Sequence, residues 1–206
     1  MIIGLLLIAA AAGVLLWSAY SSLKAGNMST EAYRSVSEAI EDSRAVNNAD
    51  QAGLQFSTDE ENVIPPDYVL NPDMEMPVRM IDGDEYIGVL EIPVLKLELP
   101  VMSEWTYPKL RKSPCRYSGT AYKGNFVILA HNYDRHFGRL KMLESGDTVS
   151  FTDMDGNRFD YIVAETEILR PYDEALMTED KWDLTLFTCT IGGGSRVTVR
   201  CRRAEQ

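Results

Sequence analysis

From Tyr86 onward the chain breaks into short extended runs, and that rhythm limits its fold more than any other feature. "YIGVLEIPVLKLELPV", "NFVILAH", "DTVSFTD", "RFDYIVAETEIL", "LTLFTC" and "SRVTVRC" are rich in β-branched and aromatic residues and end at proline, glycine or polar turns. "DMDGN" between two of them is a tight turn of the Asp-Gly kind. Two stretches, "WTYPKLRKSPCRYSGT" and "HFGRLKML", interrupt the pattern and read as short helices or helical turns. Many short strands at close spacing predict a mainly β body. The arrangement that leaves no exposed edge is a closed antiparallel barrel of about eight strands.

A second feature precedes that body. Ile2 to Tyr20 contains no charged side chain, and nineteen residues at helical rise reach about 28 Å, close to the hydrocarbon thickness of a bilayer. A cleaved signal peptide and a retained anchor both fit such a segment. Signal-peptide apolar cores run about 7 to 15 residues, so length favours the anchor. The small-residue run "AAAAG" stands in mid-stretch with "VLLW" still to follow, a poor place for cleavage. Lys24 follows the segment and no basic residue precedes it; applied to that lysine alone, the positive-inside rule puts the N-terminus outside.

Charge separates the connector from the body. The net charge is −11; residues 1–85 hold 14 acidic residues against 4 basic, and residues 86–206 hold 17 against 16. Neither part has the concentrated basic patch that neutralising phosphates requires, which argues against a nucleic-acid partner. Within the connector, Ala32, Val36 and Ile40 recur every fourth residue behind Ser29 or Thr30 as N-caps, predicting a short surface helix. The polar, proline-bearing stretch after it reads as a spacer, with a lid formed by "PPDYVLNPDMEMP" as the minority alternative. The expected domains are a transmembrane anchor over 1–22, an acidic, partly helical linker or arm over 23–85, and the barrel over 86–206.

The chemistry gathers at the end of the chain. In "LTLFTCTIGGGSRVTVRC", alternation puts Thr185, Phe187 and Cys189 on one face of the first strand. In the next strand Val197, Val199 and Cys201 form a core face, with Arg196, Thr198 and Arg200 opposite. If the loop closes a hairpin, Cys189 and Arg196 become cross-strand neighbours, with Cα atoms on the order of 5 Å apart. A permanent positive charge beside a thiol favours the nucleophilic thiolate, and the guanidinium could also donate to a developing oxyanion. A proton carrier is still needed, which a histidine supplies best. Of the two histidines, His131 ends an apolar strand, where the side chain emerges at a rim; His136 follows a turn, where packing or capping is its expected role.

"LAHNYDRHFGRL", then Thr185-Leu186-Phe187-Thr188-Cys189, then "SRVTVR" resembles the sortase family, whose signature is Thr-Leu-x-Thr-Cys with an arginine on the next strand and a histidine upstream. The resemblance covers roughly Tyr86 to Arg203. It implies an eight-stranded barrel and a membrane-anchored cysteine transpeptidase of Gram-positive bacteria. Such an enzyme cleaves a Leu-Pro-x-Thr-Gly-like sorting signal after the threonine, forms a thioester and transfers the surface protein to an amine. The implied partners are sorting-signal-bearing surface proteins or pilins, an amine on a cell-wall precursor or a pilin lysine, and the membrane, with the catalytic domain extracellular. The implied roles are Cys189 as nucleophile, His131 as general acid and base, and Arg196 as substrate and oxyanion donor. Arg200 is the fallback if the loop register differs, and Thr188 a substrate contact. Ala130 stands where many relatives carry glycine, the stretch "RPYDEALMTEDKWD" is too brief for a long inserted helix, and there is no Asp-Pro-aromatic lid, so the subclass stays open.

Three cysteines outside the membrane leave at least one unpaired, which fits a functional Cys189. Cys115 and Cys201 could pair, but Cys201 on the valine face favours two buried fillers. No close His or Cys pair suggests a metal, and no cofactor is expected; "DMDG" and "TEDKWD" are acidic enough for weak calcium binding but read better as solvated turns. Two other readings stay open: a secreted, membrane-tethered cysteine hydrolase using the same residues with water as acceptor, and a non-catalytic β-barrel binding module.

Overall fold

A computed structural model describes residues 2–54, 65–190 and 192–204. Helix α1 (Ile2–Leu54) is followed by α2 (Asp67–Leu70), β1 (Arg79–Ile81), β2 (Asp84–Ile92), β3 (Leu97–Met102), α3 (Tyr107–Leu110), β4 (Cys115–Ser118) and β5 (Phe126–Leu129). Then come β6 (Thr148–Asp153), β7 (Arg158–Leu169), α4 (Glu174–Met177), β8 (Leu184–Cys189) and β9 (Arg196–Arg203). The sheet order is β1-β2-β3-β4-β5-β8-β9-β7-β6, and β6 returns to pair with β2. Eight strands, β2 to β9, thus form the closed barrel, with β1 added at the mouth of β2. Gly88 sits at the closure, where β2 bulges between Tyr86 and Gly88; a β-carbon there would lie 2.1 Å from the Thr152 carbonyl oxygen.

The barrel is mixed, not wholly antiparallel. β3 pairs parallel to β4 through Met102 and Cys115, and β5 runs parallel to β8 from Phe126↔Leu184 to Leu129↔Phe187. Parallel neighbours need crossovers: the β3–β4 crossover carries α3, and β6, β7 and α4 intervene between β5 and β8.

Alternation divides the apolar residues into two layers. Ile87, Leu90, Phe126, Ile128, Leu184, Leu186, Val199 and Cys201 fill the interior. Val89, Met102, Val127, Leu129 and Phe187 point outward, beneath Val36 and Ile40 of α1, Leu110 of α3 and Met177 of α4. β2 is therefore buried on both faces over most of its length and loses the clean in/out alternation of a solvated strand.

The connector departs from the expected short helix. α1 runs unbroken from the apolar segment to Leu54, burying Ala25, Ser29, Val36 and Ile40 on the barrel at the predicted spacing. The proline-bearing segment packs on the body rather than floating as a spacer. Tyr68 stacks on Tyr122 at 4.8 Å, Met76 joins the interior core, and Asp73 pairs with Lys123 at 2.6 Å. Among its described contacts, none is to Cys189, His131 or Arg196. Residues 55–64 of that stretch lie outside the described residues.

Candidate active site

β8 and β9 form the hairpin expected of them. Their register runs from Leu184↔Cys201 to Cys189↔Arg196. The Thr190 N–H donates to the Ser195 carbonyl at 2.9 Å, which makes that pair the hydrogen-bonded one. Cys189 and Arg196 are then a non-hydrogen-bonded pair, the kind whose Cα atoms approach to about 4.5 Å. Cys189 is a free thiol, partly exposed. The Arg196 guanidinium is steadied by its own loop: Nη1 donates to the carbonyls of Gly193 and Ser195, each at 3.2 Å. No carboxylate pairs with it among the described residues, so its remaining donors are available to a substrate oxygen.

His131 reaches the same level by a different route. The parallel register ends at Leu129↔Phe187, and the Ala130 N–H still donates to the Phe187 carbonyl at 3.3 Å. β5 itself ends at Leu129; the same register continued by two residues aligns His131 with Cys189, on strands about 4.8 Å apart. The loop that follows folds back on itself, with Phe137 N–H donating to the His131 carbonyl at 3.3 Å. Burial first, and the Arg111 charge second, hold the His131 imidazole below the ordinary histidine range. His136 has the packing role expected of it. It is fully buried, and burial pushes it down to about 4 against the pull of the Ala25 backbone on α1.

Two residues sit otherwise than the sequence suggested. Thr188 faces the interior, 1% exposed, and its hydroxyl donates to the Ala130 carbonyl at 2.8 Å. That bond ties together the residues immediately before Cys189 and His131. Thr188→Val should cost about 1–2 kcal/mol of unfolding free energy, read from a denaturant midpoint, because it leaves a buried carbonyl unpaired. Arg200 is 1% exposed and committed elsewhere. It donates to Glu167 at 2.7 Å, to Thr185 Oγ1 at 3.0 Å and to the carbonyls of Leu176 and Met177. It holds α4 against the wall and is sealed from any ligand.

Residues that sequence reasoning passed over form the wall beside the thiol. Phe187, one pleat from Cys189, meets Tyr117 of β4 edge-on at 5.2 Å, and Tyr117 stacks on Trp105 at 5.9 Å. The Tyr117 hydroxyl donates to Glu174 of α4. Burial and that carboxylate push the hydroxyl up to about 12, so it remains a donor at neutral pH. Trp105, Tyr117 and Glu174 line an open cavity of about 530 Å³ with Ser118, Asn125, Thr178 and Asp180. The only sequence signal was the aromatic content of a stretch read as helical.

Cys115 and Cys201 are both buried and free, on opposite faces of the wall; burial raises each thiol to about 12. Among the described residues no group of three or more His, Cys, Asp or Glu is placed to hold a metal ion. The Asp153 carboxylate of "DMDGN" is occupied by its own turn, accepting from Asp155, Asn157 and Tyr122.

A closed eight-stranded barrel presenting a cysteine–arginine cross-strand pair at its mouth matches one family model, the Sortase domain, over residues 90–204. The chain belongs to the sortase family. It is 26% identical to "Sortase A" of Bacillus anthracis over 144 residues, 66% of this chain and 68% of that one. It is 29% identical to "Sortase D" of Bacillus subtilis (strain 168) over 106 residues, 50% of this chain and about half (53%) of that relative's length. Among solved structures, sortaseC1 from Streptococcus suis superposes with a TM-score of 0.52 at 27% identity, covering 62% of this chain and 78% of that one. Streptococcus pneumoniae Sortase C shares the fold at 21% identity, with a TM-score of 0.55 over 84% of this chain and 94% of that one.

Proposed function

We propose that this chain is a membrane-anchored transpeptidase that cleaves an LPxTG-like sorting signal through a thioester on Cys189 and passes the acyl chain to an amine. The observation carrying this reading is the Cys189↔Arg196 register; the parallel β5–β8 register, continued two residues past Leu129, supports His131 as its partner. Residues 1–22 serve as the anchor, 23–85 as an acidic, partly helical linker or arm, and 86–206 as the catalytic body, with the catalytic body outside the cell. The one described helix long and apolar enough to cross a membrane is α1.

In the reaction, neutral His131 takes the proton of the Cys189 thiol as the sulfur attacks the carbonyl carbon of the signal's threonine. Arg196 donates to the carbonyl oxygen as it gains charge. As the C–N bond breaks, His131 gives a proton to the departing amine, leaving a thioester. An incoming amine then attacks, surrenders its proton to His131 and expels the thiolate. Thr188 acts as a positioning residue, setting the two strand ends through Ala130. The aromatic cavity of Trp105 and Tyr117 receives the signal peptide. Membrane-tethered surface proteins fit as donors. The acceptor amine belongs to a cell-wall precursor or a pilin lysine, the latter suggested by fold neighbours that include a pilus-related Sortase C of Group B Streptococcus.

Incubation with a sorting peptide and triglycine should yield the ligated product at the expense of hydrolysis. Hydrolysis that no concentration of amine displaces would make the chain a hydrolase, and an inert Cys189 would make it a binding module. The histidine supplies a pH signature. Its pKa is lowered, so the imidazole stays neutral, and able to take a proton, to a more acid pH than an ordinary histidine. The acid limb of kcat/KM should therefore fall below about 6.5. In Arg111→Gln, which removes the charge that adds to burial in depressing the imidazole pKa, that limb should move upward.

A further inference from the structure

We propose that the barrel rim carrying Cys189, His131 and Arg196 faces the bilayer and stands against the outer surface of its headgroup layer. This rests on reading residues 2–20 as a retained span. The argument begins with α1, a single helix that is both apolar rod and docking element. Leu15 and Trp17 are 71% and 72% exposed, whereas Ala25, little more than one turn after Tyr20, and Ser29, one turn farther, are already 2% exposed against the barrel.

Three contacts orient the barrel along that rod. At the near end Gly26 meets the Arg135 side chain so closely that a β-carbon would lie 2.0 Å from its Cδ. Farther along, Tyr33 lies beside Glu98 and Glu91. At the far end Arg44 donates to the Gly156 carbonyl at 3.0 and 3.2 Å, and Asn47 to the Asp155 carbonyl at 3.2 Å.

Strand directions then locate the site. β2 runs toward the near end and finishes in the Pro93–Leu95 turn; its antiparallel partner β6 runs outward, from Ser150 opposite Glu91 to Asp153 opposite Gly88, toward the 155–156 turn. β5 leads directly into the loop that carries Arg135 against Gly26, and β8, parallel to it, ends at Cys189. The catalytic rim is the rim nearest the apolar segment.

Helical rise gives the height. Gly26 is six residues beyond Tyr20, about 9 Å at 1.5 Å per residue. A headgroup layer is about 5–7 Å deep on each side of the hydrocarbon, so Gly26 stands just beyond it and the rim packed there meets its outer surface. Arg44 stands eighteen residues farther out, about 27 Å more, and a tilt of about 20° shortens these heights by under a tenth. Val94 and Met142, 57% and 58% exposed, stand on the near-end loops among exposed Lys96, Arg135 and Lys141. Apolar groups beside long basic stems suit that interface. Asp134 and Glu144 share these loops, so the helix, not net attraction, carries the placement.

The test uses the full chain with Cys189→Ala, reconstituted in phosphatidylcholine–phosphatidylglycerol vesicles containing a headgroup spin-labelled lipid. A fluorophore is attached at Met142→Cys or at Met80→Cys; the latter position is 65% exposed and lies at the far end, next to Arg79, which pairs with Asp155 at 3.9 Å. Cys115 and Cys201 are buried and escape labelling. Quenching at position 142 should exceed that at position 80 by about threefold or more; equal, reversed or absent quenching overturns the proposal. An eighteen-residue helical insertion after Tyr20 keeps the phase over five turns and lifts the barrel about 27 Å. It should abolish quenching at position 142 yet leave cleavage of a soluble sorting peptide by the Cys189 form unchanged, and persistent quenching overturns the proposal. Quenching needs no catalysis, so a failure of the transpeptidase reading would appear separately, as loss of peptide cleavage.

Discussion

Cys189→Ala should lower turnover of a sorting peptide by on the order of 10⁴-fold or more while leaving the unfolding transition in place. The size of the effect follows from chemistry. Without the sulfur no covalent intermediate forms, and what remains is peptide binding and polarisation by Arg196. The stability is spared because Cys189 is partly exposed at a strand end, where its removal opens no sealed cavity. Equal losses of activity and folding would mean that the cysteine is structural.

The largest effect on stability is expected at the other arginine of β9. Arg200→Ala should cost about 3 kcal/mol, because a fully buried guanidinium leaves behind Glu167, the Thr185 hydroxyl and two carbonyls of α4. For a chain of this size that lowers Tm by about 6–12 °C. Arg196→Ala should do the reverse, leaving Tm nearly unchanged and reducing kcat/KM by about 10²–10³-fold, as the loss of an oxyanion donor does. Two arginines four residues apart on one face thus separate by a melting curve and an activity assay. If Arg200→Ala melted normally and Arg196→Ala unfolded, their assignments would be exchanged.

Much of this was legible because the relevant signals are local. "RFDYIVAETEIL" and "LTLFTC" coincide with β7 and β8, and the Cys189–Arg196 pairing follows from two alternating runs joined by a short glycine-rich loop. Other features were hidden because they depend on partners distant in the chain. β4 lies in a stretch that read as helical, since its four residues extend only by pairing with β3 and β5. The parallel pairings are invisible to a period-two pattern, which fixes faces but not directions. Thr188 looked like a substrate contact from its place beside the cysteine, yet alternation already assigned it to the face of Leu184 and Leu186. Arg200 stood as the fallback for Arg196 because nothing in the sequence announces that Glu167, thirty-three residues earlier, reaches its guanidinium. The unbroken α1 escaped notice because its polar turns beyond Asn27 are steadied by docking on the barrel and not by a continuous apolar stripe.

The account stands on the convergence of a thiol, an imidazole and a guanidinium at one mouth of the barrel, and intact-mass measurement of the enzyme mixed with a sorting peptide in the absence of amine tests it most directly. The expected spectrum shows an adduct equal to the peptide's N-terminal fragment through threonine, mapped to Cys189, discharged by triglycine and absent from Cys189→Ala. Cleavage without an adduct, or an adduct on any other residue, would contradict it.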